Sequence, residues 1–432
     1  MSRRSSPNRS LFSFLEDCAQ RLMSRRGRRR RTSAVALTPA GARLRLPSAA
    51  AAALAVVTLA CAEPLEFADW TVPAPEGTEV IGYTPVDAAD REGQRVEVVE
   101  DLTIGARGED QRYLFYRPYD IDVAPDGSIY LLDRGNFNVK VFDADGEHVR
   151  TFANEGEGPG ELSRPIAAAI VGDRYVVNDG ATLSVWSLGG EYRDDLASPV
   201  RSVSSVFYPI REDSVIFNFT RRGSDMLRTV YARVYLDDRA PLEVAEMPLT
   251  LRTLRRGTTG LIGNRRVMTA SADGRLYLTN GDEYQVMSWD LTGAPRWALR
   301  VAQPRQPYSE AEIENVLAQQ RERYPDILRS ELEMSEYAPT LRNLLVDGHG
   351  HLYVFLHTWV APFSELHDYP IDVYSPAGER LFAGSTTLEI PGGLWEEPVQ
   401  VAAAHGDHVY QLELDPAGDW QIVRYRLEEP FE

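Results

Sequence analysis

From residue 117 onward, short runs of alternating apolar and polar residues are separated by turn signals, which predicts period-two strands joined by hairpins. The pattern is clearest in Arg117-Pro118-Tyr119-Asp120-Ile121-Asp122-Val123-Ala124-Pro125-Asp126-Gly127-Ser128-Ile129-Tyr130. Here an alternating strand, an Asp-Gly turn and a second strand carrying a tyrosine follow one another. The same turn and strand start recur at 173–175, 213–216, 273–277, 349–353 and 406–410, so the unit is present six times.

A second landmark follows each turn. An aromatic residue closes the third strand and a glycine stands four residues later: Phe142 with Gly146, Trp186 with Gly190, Trp289 with Gly293, and Tyr374 with Gly378. Glycine suits a tight hairpin because such turns call for positive φ. The third unit keeps Tyr235 without the glycine, which predicts a longer hairpin. In the sixth, Tyr425 lies near the C-terminus with no fourth strand behind it. Val96 to Ile104 precedes the first unit and alternates as an edge strand should, so it supplies the missing strand and closes the ring. These counts predict an all-β six-bladed β-propeller over 96–430, closed by its N-terminal strand. A pair of β-sandwiches is the rival, and it gives no reason for six matching landmarks. One stretch breaks the period. Ser309 and Glu312 form a capping box, Ile313, Val316 and Leu317 follow, and Ile327, Leu328, Leu332 and Met334 lie beyond Pro325. Two short helices inserted at 308–337, between blades four and five, are expected. They act either as packing filler or as a lid over the channel mouth.

The segment from Arg117 to Gly146, followed by Glu155-Gly156-Glu157-Gly158-Pro159-Gly160-Glu161-Leu162 and Arg164-Pro165, resembles the NHL-type repeat. The chain is thereby similar to the bacterial six-bladed propeller lipoproteins built on that repeat. The resemblance is clear over roughly 100–195 and 264–300 and weak in the third unit.

Charge changes the picture at the N-terminus. The first 60 residues hold 12 arginines against Glu16 and Asp17, so the remainder is more acidic still than the whole-chain net charge of −18. Such a body repels nucleic acid, whose binding draws on clustered positive charge, and nucleic acid is not an expected partner. A basic run at Arg25 to Arg31 and a short apolar run at Ser48 to Ala60 end at Cys61, the order of a secretory signal. The resemblance is to bacterial lipoprotein signals, with Leu59, Ala60 and Cys61 in place and Thr58 where leucine usually stands. It implies a signal over 1–60, lipidation of Cys61, and anchoring to a membrane at the periplasmic or extracellular face of a bacterial envelope. Plain secretion and a retained membrane anchor are the alternatives, and Met23 is an equally good start. Residues 61–95, rich in Pro, Glu, Ala and Gly, read as a lipid-anchored tether. Cys18 and Cys61 are the only cysteines, so no disulfide framework is expected.

The innermost strand of each blade lines a propeller's channel. Counting from the turns places Asp120, Ala167, Val267, Asn343 and Gln400 at equivalent positions, with Arg117, Arg164, Asn264, Thr340 and Glu397 just before those strands. Asp120, Asn343 and Gln400, flanked by Arg117 and Glu397, form a polar sector on neighbouring blades one, five and six. It suits either solvated lining or a ligand-binding site for a polar molecule or a divalent cation such as calcium. The histidines crowd into the last two blades: His349, His351, His357, His367, His405 and His408, against His148 elsewhere. His349 and His351 can share a strand face, and His349 and His405 occupy equivalent turns of adjacent blades. Zinc would accept such ligands. Asp143-Ala144-Asp145-Gly146-Glu147 has the look of a calcium loop but coincides with a repeated hairpin, and is read as a turn.

No nucleophile elbow, phosphate loop or dinucleotide fingerprint occurs. The leading expectation is therefore a non-catalytic envelope binding or scaffold protein for a protein or saccharide partner. The alternative is a metal-dependent lyase or lactone hydrolase with its site in the central channel. The gluconolactonase-like propellers and the peptidyl-hydroxyglycine lyases work that way, although their ligand motifs are not matched here. A sensor coupled to an envelope transporter is a third reading.

Overall fold

A computed structural model describes residues 72–105, 108–180, 182–198, 207–210, 213–222, 227–249, 267–271, 273–323, 325–331, 337–357, 368–388 and 402–431. The expected signal over 1–60 and Cys61 lie outside these residues. The first elements are β1 (Glu79–Tyr83), a single helical turn α1 (Ala88–Arg91) and β2 (Arg95–Gly105). Blade one follows as β3 (Pro118–Val123), β4 (Ile129–Asp133), β5 (Asn138–Phe142) and β6 (His148–Phe152), four antiparallel strands in sequence order. Blade two is β7 (Ala167–Val171), β8 (Arg174–Asn178), β9 (Thr182–Ser187) and β10 (Tyr192–Ala197). Blade three is β11 (Phe207–Ile210), β12 (Ser214–Arg222), β13 (Leu227–Tyr235) and β14 (Leu242–Leu249).

Blade four is β15 (Val267–Ala270), β16 (Leu276–Thr279), β17 (Gln285–Trp289) and β18 (Pro295–Val301). The helix α2 (Glu310–Arg323) and a short 3₁₀ turn at Arg329–Glu331 come next. Blade five is β19 (Leu341–Val346), β20 (Leu352–Leu356), β21 (Tyr369–Tyr374) and β22 (Arg380–Thr386). The last blade has only β23 (Ala402–His405), β24 (His408–Leu414) and β25 (Trp420–Glu428) from the C-terminal end, and β2 pairs antiparallel with β25 from Glu97–Glu428 to Gly105–Gln421. Six interblade cores make the ring: each packs one blade on the next, and the sixth joins Tyr410, Leu412 and Ile104 of the last blade to Ile121, Leu131 and Phe142 of the first. The chain is a six-bladed propeller closed by its N-terminal strand.

The repeated residues have local causes. In blade one the Asp143 carboxylate accepts the amides of Asp145 and Glu147 at 3.1 and 2.8 Å, and Gly146 takes φ of 82° to complete the hairpin. A Cβ on Gly146 would meet Ile104 of the preceding blade at 3.0 Å, so the glycine answers to close approach as well as to conformation. The stretch 143–147, read from the sequence as a turn, is this hairpin. Tyr130, Tyr175, Tyr277, Tyr353 and Tyr410 are all buried in the second strands. In blade three, which lacks the glycine, β13 and β14 are joined by the longer connection 236–241.

The tether expected over 61–95 is corrected across its described part. Val72 is buried against the core between blades three and four. β1 pairs parallel with β18 as a fifth strand of blade four, in register from Glu79–Trp297 to Tyr83–Val301. The Tyr83 hydroxyl donates to Gly378 O at 2.9 Å, and Arg91 forms an ion pair with buried Asp372 of blade five. β2 then starts parallel to β22, at Arg95–Ser385 and Val96–Thr386, before turning to β25. The stretch is a belt around the rim. Pro, Glu and Gly flank its strands, but Ile81 and Tyr83 alternate toward a buried face, and the outer edge of blade four gives their backbone a partner.

The insertion follows its capping box. Ser309 Oγ accepts the Glu312 amide at 3.2 Å and Glu312 Oε2 accepts the Ser309 amide at 2.7 Å. Of the two helices expected, the first is α2 and the described residues show a 3₁₀ turn at Arg329–Glu331 where the second would begin, with Leu317 and Ile327 buried; Leu332 and Met334 lie outside the described residues. Glu312 Oε1 stands 2.9 Å from His357 Nε2, just past the end of β20, which fastens the first turn of the helix to blade five.

Candidate functional site

The six innermost strands run in the same sense, and their C-terminal ends converge around one cavity of about 840 Å³. It opens at the hairpins that join first and second strands. Its polar lining comes from Asp122, Asp173, Thr269, Ser271, Asp347 and His405, one from each blade except the third and two from blade four. Blade three contributes Tyr208, whose hydroxyl donates to Met268 O at 2.9 Å. The helical insertion is fastened at the opposite ends of these strands, since His357 donates its amide to Thr340 O where β19 begins. It is therefore not a lid on this cavity.

Two carboxylates on β3 do unusual work. Asp120 accepts the amide of Ile121 at 3.0 Å and, across the gap to blade two, that of Ala168 at 2.8 Å. Asp122 repeats this two residues on, with Val123 at 2.8 Å and Ile170 at 2.7 Å. Neighbouring inner strands belong to separate sheets, so these side chains carry the hydrogen bonds that a ladder would otherwise make. Burial raises both carboxyls: Asp120 goes well above the usual carboxylate range, and Asp122 is pushed up to about 6. Both oxygens of each are occupied by backbone amides, which leaves little capacity for a cation.

The other sequence-predicted residues fall as follows. Asn343 is equivalent to Asp120, follows a bulge as Asp120 does, and turns its Oδ1 onto its own neighbour Leu344 at 2.9 Å. Arg117 is exposed at the start of β3, with φ of 62°, at the end of the blade away from the cavity. Gln400, Glu397 and Asn264 lie outside the described residues. Ala167 and Val267 are buried, and Thr340 donates its hydroxyl to Asp282 O at 3.0 Å. Among the described residues, then, Asp120 and Asn343 are structural, and the cavity is built from residues nearer the hairpins. Asp122 is not among the residues that counting from the turns singles out, although the Asp-x-Asp spacing puts it on the same strand face as Asp120.

The histidines divide. His405 lines the cavity, His349 is exposed, and His148 pairs with Thr151 Oγ1 at 2.8 Å. His408 lies between Asp407 and Asp101, at 2.8 and 3.1 Å, while His367 is outside the described residues. The equivalent turns of blades five and six touch: Gly348 donates its amide to Gly406 O at 3.1 Å, and a Cβ on Gly348 would lie 2.2 Å from Gly406 N. Only glycine allows the hairpins to close this far. His349 and His351 have ring centroids 6.1 Å apart. His351 Nδ1 lies 2.9 Å from Asp347 Oδ2 and 3.4 Å from Glu429 Oε2, and Tyr353 donates its hydroxyl to Glu429 Oε1. Nothing in the sequence around Glu429 marks it for this place.

Residues 110–243 match the model of a family described as a 6-bladed beta-propeller. No curated protein matches the chain. Among solved structures, a Bacteroides vulgatus protein is similar at 12% identity, over 77% of this chain and 99% of its own, with a TM-score of 0.48. Virginiamycin B lyase from Staphylococcus aureus is similar at 10% identity, over 77% and 100%, with a TM-score of 0.39. A calcium-binding protein, regucalcin, from Agrobacterium tumefaciens is similar at 10% identity, over 78% and 98%, with a TM-score of 0.38. The family match over blades one to three and the strand order of the whole ring agree that this chain is a six-bladed β-propeller.

Proposed function

We propose that the protein is a bacterial envelope protein, anchored through a lipid on Cys61, that binds a partner without transforming it and takes a neutral saccharide at the channel mouth. The observation that carries this is the state of the cavity wall. Asp120 and Asp122 are already held by backbone amides on both oxygens, and Ser271 is engaged by Asp273 and the Arg275 amide, whereas Thr269 and His405 offer hydrogen-bonding groups around an open volume large enough for a few sugar rings. The acidic body disfavours an anionic ligand, and hydroxyl-rich molecules need dispersed donors and acceptors of the kind found here. A metal-dependent lyase or lactone hydrolase built on the inner strand β3 would need a carboxylate there free to ligate, which Asp120 and Asp122 do not supply.

Calorimetric titration of the purified protein with a panel of neutral oligosaccharides tests the reading. Ala404, half-buried on the cavity wall at the edge of the core between blades five and six, is the site to block: Ala404→Trp is expected to weaken binding at least tenfold in protein that still unfolds cooperatively. No saccharide binding by the parent, or equal binding by Ala404→Trp, would reject it. Release of a modified sugar or an opened lactone would move the assignment to the enzyme class.

A further inference from the structure

We propose that Asp347, His351 and Glu429 form a binding site for one divalent transition-metal ion, best suited to zinc, which fastens the end of the chain to blade five. This goes beyond the saccharide reading and stands without it. One donor atom from each of the three lies within 4.8 Å of the others. The two spacings from His351 Nδ1, 2.9 and 3.4 Å, bracket the edge of a zinc tetrahedron, whose ligands are about 3.3 Å apart when each is about 2.0–2.1 Å from the ion. A nitrogen and two carboxylate oxygens are a donor set that zinc accepts, and two anionic ligands balance its charge.

The surroundings are those of a built site. The Asp347 side chain is 1% exposed, and its Oδ1 accepts the amides of His349 and His351 at 2.9 and 2.8 Å, which turns Oδ2 toward the imidazole. Tyr353, buried in β20, holds Glu429 by its other oxygen, the outer-shell support that orients a ligating carboxylate. Phe431 covers the imidazole, with ring centroids 5.5 Å apart, and packs on Phe382 at 5.6 Å. Glu429 and Phe431 follow β25, so the ligand set joins the tail of blade six to the first hairpin of blade five. That hairpin also lines the channel cavity through Asp347.

Full-length protein stripped with a chelator and titrated with zinc against a chromogenic competitor is the test, with cobalt(II) absorption as a second reading. One zinc per chain is expected, with stoichiometry falling to zero in His351→Ala and affinity falling at least tenfold in Glu429→Gln. His405→Ala, which leaves the three ligands intact, should keep the parent stoichiometry and cobalt spectrum. Zinc should also raise the melting temperature of the parent and not that of His351→Ala, because an ion bound only by the folded state stabilises it. Should either variant fold poorly, Phe431→Ala keeps all three ligands and is expected still to bind one zinc, more weakly. Absence of stoichiometric zinc in the parent, or zinc bound equally by a folded His351→Ala, would overturn the proposal and leave the three residues as a hydrogen-bonded contact only.

Discussion

Arg91 Nη2 lies 2.6 Å from Oδ1 of Asp372, a carboxylate buried in the third strand of blade five. Its Nη1 donates to Ile371 O at 2.9 Å, and Tyr284 of blade four donates to Asp372 Oδ2 at 2.6 Å. One charge pair thus ties the rim belt to blade five, with blade four joined through Tyr284. Arg91→Ala removes the ion-pair partner of buried Asp372 and leaves its charge only the electrostatic interaction with Arg380, a change expected to cost about 3 kcal/mol in urea unfolding. A loss below about 0.5 kcal/mol would restore the tether reading of this stretch.

Two hairpin glycines separate conformation from close approach. Gly378 has φ of 88°, and a Cβ there would meet Ile81 of β1 at 2.6 Å and Trp297 at 3.3 Å; Gly418 has φ of 89° and open space around it. Gly418→Ala is expected to cost about 1–2 kcal/mol for the left-handed backbone alone. Gly378→Ala should cost about 1–3 kcal/mol more, because Ile81 has to shift. Equal losses in denaturant titrations would show that β1 does not lie against this turn.

Asp122 gives the channel a pH signature. Burial holds its carboxyl at about 6, above its ordinary 3.8, so the folded state prefers the protonated form. The stability this contributes is complete below about pH 4 and is lost as pH rises through 6. At 1.36 kcal/mol per unit the fall is at most about 3 kcal/mol, and channel water reduces it. Melting temperatures of Asp122→Asn should therefore lack the decline that the parent shows between pH 4 and 7. Parallel curves for the two proteins would contradict a raised Asp122 carboxyl.

Anchoring has its own test. Cys61→Ser should move the protein from the membrane fraction to the soluble fraction and abolish labelling by a palmitate analogue. An unlabelled parent that fractionates as the variant does would remove the lipid from the proposal.

What could be read in the chain was what a single turn or strand demands of its own residues. Gly146, Gly190, Gly293 and Gly378 are needed by their hairpins, Ser309 and Glu312 by a helix start, and the alternation at Val96 to Ile104 by a strand with one buried face. Longer-range requirements left weaker traces. Glu79–Tyr83 is five residues among prolines and glycines, and only the edge of β18 makes it a strand. Asp120 lies on an inner strand that its alternation marks, yet its hydrogen bond crosses the gap to Ala168, which no local pattern encodes. Glu429 and His351 meet because the tail of blade six crosses to blade five, and neither sequence neighbourhood announces the other.

The pairing of β2 with β25 also has a consequence in time. Val99 lies opposite Arg426, so the last sheet joins a strand made early to one made 327 residues later. During synthesis the apolar side chains of Val96 and Ile104 wait without their native cover until the final strand emerges, and contacts between such distant residues form slowly. A chain that stops short of residue 420 keeps its first strand bare, along with the flank of blade one that Ile104 covers. Such an incomplete product exposes the edges and apolar surface that chaperones and proteases recognise, and the closed ring becomes a check that β25 has been made.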